Sequence, residues 1–144
     1  MTEIRIATTI QAPKEKVWEI FSNFDNYSNW NPLITGISGN PSEGNDIKVK
    51  LKVAGLVTPL PVKVWENTAN SRFSWGGPRK GFINNILNAE HYFEVREIDD
   101  NTCEFVHGEQ FLGVIPKLSW PLLKRLKPAY KAMNLALKKE AEAA

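Results

Sequence analysis

The C-terminal segment reads KLSWPLLKRLKPAYKAMNLALK over residues 117–138 and carries the clearest periodicity in the chain. Its large apolar residues recur at steps of four, four, three and four, which places them in one stripe along one side of a helix. The stripe consists of Leu122, Leu126, Tyr130, Met133 and Leu137. Since such a stripe is stable only when it is buried, the rest of the fold must pack against it.

Two prolines set the expected course of this helix. Pro121 suits the first turn, where the missing N–H costs nothing, and Ser119 suits the capping position ahead of it. Pro128 removes a backbone donor, and its ring clashes with the turn before it. We therefore expect a kink between Lys124 and Pro128 instead of a straight rod.

The middle of the chain has the pattern of an antiparallel meander. Between Ile34 and Phe111, short apolar runs alternate with turns rich in Gly, Pro, Asn and Asp. The clearest strand is predicted over residues 46–54, where aliphatic residues alternate with lysines, so one face should be buried and the other exposed to solvent. The aliphatic positions are Ile47, Val49, Leu51 and Val53.

The N-terminal part predicts a strand followed by two short helices. Alternation over residues 3–11 is typical of a strand with one buried face. Helical spacing follows from about residue 13 to residue 23, and a second short helix is expected over residues 25–30. Pro32 ends it, because the residue before a proline avoids helical geometry.

These elements predict an α+β fold in which a curved antiparallel sheet wraps around the long C-terminal helix. Residues 1–144 suffice for a single domain with one core. A bent sheet leaves space between itself and the helix unless every inward side chain is large. That space is where we expect a ligand to bind.

Composition narrows the class of protein. The charged fraction of 24% and the apolar fraction of 42% are typical of a globular chain, and the net charge of +2 does not demand a nucleic acid partner. The single cysteine, Cys103, excludes a disulfide framework. The N-terminus lacks the apolar core of a signal peptide, and no apolar run reaches the roughly 18 residues of a membrane span. We therefore expect a cytoplasmic protein without integral membrane association, present as a monomer or weak homodimer.

Four stretches, distributed over nearly the whole chain, carry a family resemblance. They are Ala12-Pro13 through Val17-Trp18, Tyr27 through Trp30-Asn31-Pro32, residues 102–113 (TCEFVHGEQFLG) and residues 132–138 (AMNLALK). Together they resemble the SRPBCC and START-like helix-grip superfamily, which includes polyketide cyclase/dehydrase-like and lipid-transport-like proteins and is related to the birch-pollen-allergen fold. The resemblance implies a helix-grip fold and a cavity for hydrophobic or amphipathic molecules, and it implies no metal or cofactor.

Two histidines and one carboxylate are the best candidates for chemistry. If Asp99-Asp100-Asn101 forms a hairpin loop, the residue numbers of opposed pairs sum to about 200. His91 then lies opposite Glu109, and His107 lies opposite Phe93. Because directly opposed residues point to the same side, all of them share one face of the sheet.

Four interpretations of this polar trio stay open. The side chains of His91, His107 and Glu109 can form a hydrogen-bonded cluster that fixes the sheet, because buried polar groups need partners. They can instead orient a ligand, or act as acid–base groups in a reaction. A metal site made of two histidines and one carboxylate has the least support, since no local ligand spacing indicates it.

Other reactive motifs have less support. The sequence lacks a G-x-S-x-G nucleophile element, and Cys103 lies on a predicted strand without a basic neighbour, which is typical of a small core residue. Residues 76–81 (GGPRKG) lack the order of a phosphate-binding loop. The basic C-terminal segment predicts a solvated helix face, with an anionic partner as the alternative.

Large inward side chains are the remaining candidates for lining the cavity. Together with the polar trio, the expected ligand-binding set consists of Trp30, Phe73, Trp75, Phe93, Phe105, Leu126, Tyr130 and Met133. The alternative is simple core packing, which is the commoner role of an aromatic residue on an apolar face.

The connection over residues 76–88 is too long for a tight hairpin and carries its own apolar residues. Such loops are uncommon unless they are functional or flexible. A lid over the cavity mouth is therefore predicted at Phe82, Ile83, Ile86 and Leu87. The alternative is a short helical turn packed permanently on the sheet.

The leading functional hypothesis is the binding or carriage of a lipid-like or polycyclic molecule in the cavity. One alternative is a cyclase or dehydratase in which His107 or Glu109 transfers a proton, with His91 as a further candidate. Another is a co-chaperone-like module whose apolar groove accepts a partner protein. The resemblance alone does not choose among these functions, because one fold hosts many of them.

Overall fold

Seven antiparallel strands form one sheet in the computed structural model, which describes residues 2–77 and 88–143. The strands are β1 (Thr2–Ile10), β2 (Ile34–Ser38), β3 (Asp46–Val53), β4 (Leu56–Thr68), β5 (Arg72–Gly76), β6 (Asn88–Asp99) and β7 (Thr102–Leu112). Their order across the sheet is β1-β7-β6-β5-β4-β3-β2. The predicted meander is therefore confirmed, and β1 extends it by pairing with β7.

The helices fall into two groups along the chain. Between β1 and β2 lie α1 (Lys14–Ser22) and a short 3-10 helix (Phe24–Asn29). After β7 come α2 (Val114–Leu118), α3 (Trp120–Leu123), a 3-10 turn (Lys124–Leu126) and the long helix α4 (Lys127–Ala143). Since α4 packs on β1, β7 and α1, the curved sheet grips this helix as predicted.

An aromatic cluster fills the space between α1 and the middle of the sheet. Phe21 lies at its centre, with ring centroids 4.9 Å from Phe93 and 5.5 Å from Phe105. Trp18, Phe24, Tyr27 and Phe73 surround the same ring. Cys103 is buried beside this core, in agreement with its predicted role as a small core residue.

The C-terminal stripe is only partly buried. Tyr130, Met133 and Leu137 face the sheet and are buried, whereas Leu122 is 65% exposed, so the prediction of one continuous buried stripe was wrong. The chain leaves α-helical geometry at Lys124–Leu126, within the segment for which a kink was predicted. That break changes the rotational phase of the helix, because a 3-10 turn has three residues per turn.

The helix start also differs from expectation. Ser119 precedes α3, yet its side chain makes no capping hydrogen bond. Its backbone has φ −93° and ψ 7°, close to helical, because Ser119 directly links α2 to α3. An N-cap side chain needs an extended backbone to reach the free N–H groups, so the predicted cap does not form.

The β3–β4 hairpin extends beyond the core. Ile47 and Val49 are buried as predicted, but Val53 is 42% exposed, so the expectation of a dry face along the whole strand was wrong. Leu56 and Val57 across the turn are exposed as well. Alternation therefore predicted which side each residue points to, but not how far the opposing layer reaches.

On the outer face of the sheet, Tyr92 covers Gly108 of the neighbouring strand. The Tyr92 hydroxyl donates a hydrogen bond to Glu3 at 2.8 Å, and the guanidinium of Arg72 lies 5.0 Å from the ring centroid. A Cβ atom at Gly108 would come within 2.3 Å of the Tyr92 ring. The tyrosine therefore requires a glycine beneath it.

We expect Gly108→Ala to lower the free energy of unfolding by about 1–3 kcal/mol, because the ring has to move away from both polar partners. Gly36→Ala is the matched control, since its Cβ would meet only the end of the Lys50 side chain at 3.9 Å. Urea denaturation of both variants measures the difference. Equal stability of the two variants would show that Tyr92 is not held over Gly108.

Candidate ligand-binding site

The β6–β7 hairpin brings the polar trio together. His91 pairs with Glu109 and Phe93 pairs with His107, as the numbering of the predicted hairpin required. The turn follows Asp99, and β7 begins at Thr102. Both histidines are buried, and the Glu109 side chain is 17% exposed.

The two histidines contact each other directly. Nε2 of His91 lies 2.7 Å from Nε2 of His107, so one ring donates a hydrogen bond to the other. Nδ1 of His107 lies 3.1 Å from the side-chain oxygen of Asn134 on α4. The pair is therefore tied both to the sheet and to the gripped helix.

Asn134 is a member of the site that the sequence analysis missed. It is fully buried, and its amide nitrogen donates to the Ile6 carbonyl and to the Thr8 hydroxyl, each at 3.1 Å. A signal for it was present in the sequence, because Asn134 lies one helical turn after Tyr130 and next to Met133. A polar residue inside an apolar stripe indicates a buried partner.

Glu109 is held by Tyr130. The tyrosine hydroxyl donates a short hydrogen bond to Oε1 of Glu109, and Nδ1 of His91 lies 3.7 Å from the same oxygen. The Tyr130 ring also stacks on His107 at 4.5 Å between centroids, with 6° between the planes. On the other side, Trp75 stacks on His91 at 4.7 Å.

Burial dominates the titration of these groups. It lowers the pKa of His91 well below 6.5, helped by the neighbouring His107, and it lowers the pKa of His107 to about 3 despite the hydrogen bond with Asn134. Burial also raises the pKa of Glu109 from 4.5 to about 7, although the Tyr130 hydrogen bond opposes this. Both histidines are therefore neutral near pH 7, whereas Glu109 titrates in this pH range.

Two neighbouring pockets meet at Glu109. The larger has a volume of about 370 Å³ and lies between the ends of β6 and β7 and the helices α2 and α3. The smaller, of about 180 Å³, lies against the middle of β4 and the ends of β5 and β6. Ala89 and Glu109 line both pockets, and Trp75 and His91 line the smaller one.

The other predicted lining residues lie elsewhere in the fold. Phe73, Phe93 and Phe105 belong to the aromatic cluster around Phe21. His107, Tyr130 and Met133 are buried between α4 and the sheet, and Leu126 is half-buried in the 3-10 turn. Trp30 packs edge-on against Tyr27 at 5.2 Å.

The predicted lid lies outside the described residues. Phe82, Ile83, Ile86 and Leu87 all fall between Gly77 and Asn88, where the description of the chain is interrupted. Across residues 2–77 and 88–143, no group of three His, Cys, Asp or Glu side chains is arranged to hold a metal ion. In the same parts of the chain, no helix is both long enough and apolar enough to span a membrane.

Solved structures of several proteins share this fold at low sequence identity. A START superfamily protein from Mycobacterium smegmatis matches with a TM-score of 0.75 and 16% identity, covering 98% of this chain and 97% of that one. The Zhui aromatase/cyclase from a Streptomyces species also has a TM-score of 0.75, with 15% identity and coverage of 98% and 93%. Norcoclaurine synthase from Thalictrum flavum has a TM-score of 0.68, with 13% identity and coverage of 99% and 87%.

The matches agree with the resemblance found in the sequence. The START and aromatase/cyclase neighbours confirm the predicted helix-grip fold. No curated protein sequence matches the chain significantly. Residues 1–142 match the family model described as polyketide cyclase / dehydrase and lipid transport, and the chain therefore belongs to that family.

Proposed function

We propose that the protein binds a small, largely apolar molecule in the pocket formed by β6, β7, α2 and α3. The pocket volume of about 370 Å³ lies near the lower end of the roughly 300–1,000 Å³ that is usual for small-molecule sites. Its apolar wall consists of Ala89, Phe111, Ile115, Pro116 and Leu123. The norcoclaurine synthase structure is a complex with dopamine and hydroxybenzaldehyde, so a protein of the same fold binds small aromatic molecules.

The position of Glu109 carries the proposal. Its carboxyl group lines both pockets, is largely buried, and has its pKa raised to about 7 by that burial. A carboxyl group in an apolar pocket is costly for the folded state, and perturbed groups of this kind concentrate at functional sites. Glu109 therefore supplies the polar contact that orients an otherwise apolar ligand.

We expect Ala89→Leu to weaken ligand binding by about tenfold or more, because the added carbons occupy the space that both pockets share. Calorimetric titration with 2-naphthol measures the effect, and native mass spectrometry shows whether a ligand is retained on purification. Ala132→Leu, on the exposed side of α4, is the matched control and should bind like the wild type. If the wild-type protein retains no ligand and does not bind 2-naphthol, the proposal fails.

A second candidate, acid–base catalysis, is favoured by the same carboxyl group. A general acid or base works best when its pKa lies near the working pH, and only Glu109 of the trio meets this condition. His107, named above as the alternative base, is fully buried and has a pKa of about 3. Glu109→Gln should retain the bound compound but abolish its conversion, which mass analysis of the compound before and after incubation detects.

A further inference from the structure

We infer that the site selects ligands whose polar group donates a hydrogen bond, because Asn134 fixes the tautomers of His107 and His91 so that His91 Nδ1 is an acceptor facing Glu109. This inference rests on the proposed function and specifies the ligand class. Asn134 acts here as a positioning residue, since it reaches the site only through His107.

The hydrogen-bond partners of the Asn134 amide determine its orientation. Its nitrogen lies 3.1 Å from the carbonyl oxygen of Ile6 and 3.1 Å from the hydroxyl oxygen of Thr8. A backbone carbonyl only accepts hydrogen bonds, so the NH₂ group has to be on this side. The side-chain oxygen of Asn134 consequently faces Nδ1 of His107.

The tautomers of the two histidines follow from this orientation. The Asn134 oxygen accepts, so Nδ1 of His107 carries the hydrogen and donates across 3.1 Å. A buried neutral imidazole has one N–H, which leaves Nε2 of His107 as an acceptor. Nε2 of His91, 2.7 Å away, must then carry the hydrogen. The remaining nitrogen of His91, Nδ1, keeps a lone pair.

This lone pair lies beside a second acceptor. Nδ1 of His91 is 3.7 Å from Oε1 of Glu109, which is too long for a direct hydrogen bond. The hydroxyl hydrogen of Tyr130 is already donated to Glu109 and is not available to a ligand. When Glu109 is ionised, the wall formed by His91 and Glu109 therefore offers acceptors only.

The ligand class follows from this arrangement. A hydroxyl or amine group on an apolar skeleton in the larger pocket donates to Glu109, which lines both pockets, and a second donor hydrogen reaches His91 where the ligand extends into the smaller pocket. An ether oxygen placed beside His91 and Glu109 finds no donor on these two residues, so their acceptors stay desolvated and unpaired, which is costly. The Asn88 amide and the Ser119 hydroxyl of the larger pocket carry donor hydrogens, so the selection acts at the Glu109 end of that pocket. A carboxylate is opposed further by the charge of Glu109.

Three probes with one skeleton test the inference on the intact protein. At about pH 8, where Glu109 is mostly ionised, 2-naphthol should bind about tenfold more tightly than 2-methoxynaphthalene, and 2-naphthoate should bind most weakly. Equal affinity for the three probes would overturn the inference and leave the proposed function standing. Binding of none of them would overturn the proposed function, and this inference with it.

Nitrogen-15 correlation spectra of the two histidine rings test the tautomers without any ligand. The expected result is a hydrogen on Nδ1 of His107 and on Nε2 of His91, as the contacts between Asn134, His107 and His91 require. A hydrogen on Nδ1 of His91 in the wild-type protein would overturn the inference.

Two variants test whether Asn134 is the cause. Asn134→Leu removes the acceptor, so the ring tautomers should mix and the preference for 2-naphthol over its methyl ether should fall at least about threefold. Asn134→Asp, which burial keeps protonated, offers its carbonyl oxygen to Nδ1 of His107 and donates its hydroxyl hydrogen to the Ile6 carbonyl, so it should retain both the tautomers and the preference. An unchanged preference in a folded Asn134→Leu variant contradicts the positioning role. If that variant does not fold, the wild-type ring spectra decide.

Discussion

Tyr130→Asp is expected to lower the free energy of unfolding by about 3–5 kcal/mol. Tyr130 is buried between α4 and the sheet, where its ring stacks on His107 at 4.5 Å and lies 5.1 Å from His91. The substitution removes that packing and places a second carboxyl group beside Glu109. Within the described residues, no cation contacts either of these two carboxyl groups. Either one of them therefore stays protonated or the site unfolds.

Tyr130→Phe separates packing from hydrogen bonding. It keeps the ring and removes only the hydroxyl group that donates to Glu109, so a loss of about 1–2 kcal/mol is expected. Thermal and urea denaturation of both variants provide the comparison. If Tyr130→Asp melts like the wild type, the sheet does not grip α4 and the description of the fold fails.

The second large effect is a pH dependence of stability that belongs to Glu109. Its pKa is about 7 in the folded protein and about 4.5 in the unfolded chain, so between these pH values the folded state binds a proton that the unfolded state does not. The contribution of Glu109 to the free energy of unfolding is therefore fully present below pH 4.5 and is lost as the pH rises through 7. The loss amounts to about 3 kcal/mol.

The histidines act with the opposite sign. Their folded-state pKa values lie below 6.5, so their contribution is present above that pH and is lost as the pH falls. A lowered histidine pKa is expected for a site that excludes water, because burial of the imidazolium lowers the pKa more than the nearby carboxylate raises it. Between pH 4.5 and 6.5, a rise in pH lowers the stability contributed by Glu109 and raises the stability contributed by the histidines. The pH dependence of the wild-type free energy of unfolding alone therefore does not isolate the effect of Glu109.

Glu109→Gln isolates the carboxyl group, because it leaves both histidines in place. The stability of the variant relative to the wild type should rise by about 3 kcal/mol between pH 4 and pH 8, as measured by urea denaturation across that range. The groups that face the carboxyl group, His91 and Tyr130, are common to both proteins. A difference that is constant with pH would show that Glu109 titrates normally and is not buried.

Local chemistry made part of the site predictable from the sequence. The predicted hairpin gives opposed residues whose numbers sum to about 200, and the pairs from Glu97–Cys103 to His91–Glu109 keep that sum, so His91, His107 and Glu109 were assigned to one face correctly. The register also depends on an irregularity between Glu97 and Asp99, next to the turn, which the turn residues alone did not predict. The long connection between β5 and β6 is recognisable in the same way, but its predicted lid role remains a prediction.

Contacts between distant segments were not predictable in this way. Asn134 lies 27 residues from His107 and 128 from Ile6, and nothing in the local pattern aligns them. The exposure of Leu122 depends on the 3-10 turn at Lys124–Leu126 and on where the sheet ends. The lining of the two pockets likewise depends on how α2 and α3 fold back over β6 and β7.

The sequence by itself determined the order of the elements, the meander and its register, and the apolar faces that bury each other, because periodicity and turn chemistry act over a few residues. The tertiary structure alone decided which polar groups contact each other, how completely they are removed from water, and which protonation states follow. Desolvation and hydrogen-bond partners depend on atoms contributed by segments far apart in the chain. The same three residues that the sequence placed on one face thus became two neutral histidines and one carboxyl group poised near pH 7 only when α4 closed over them.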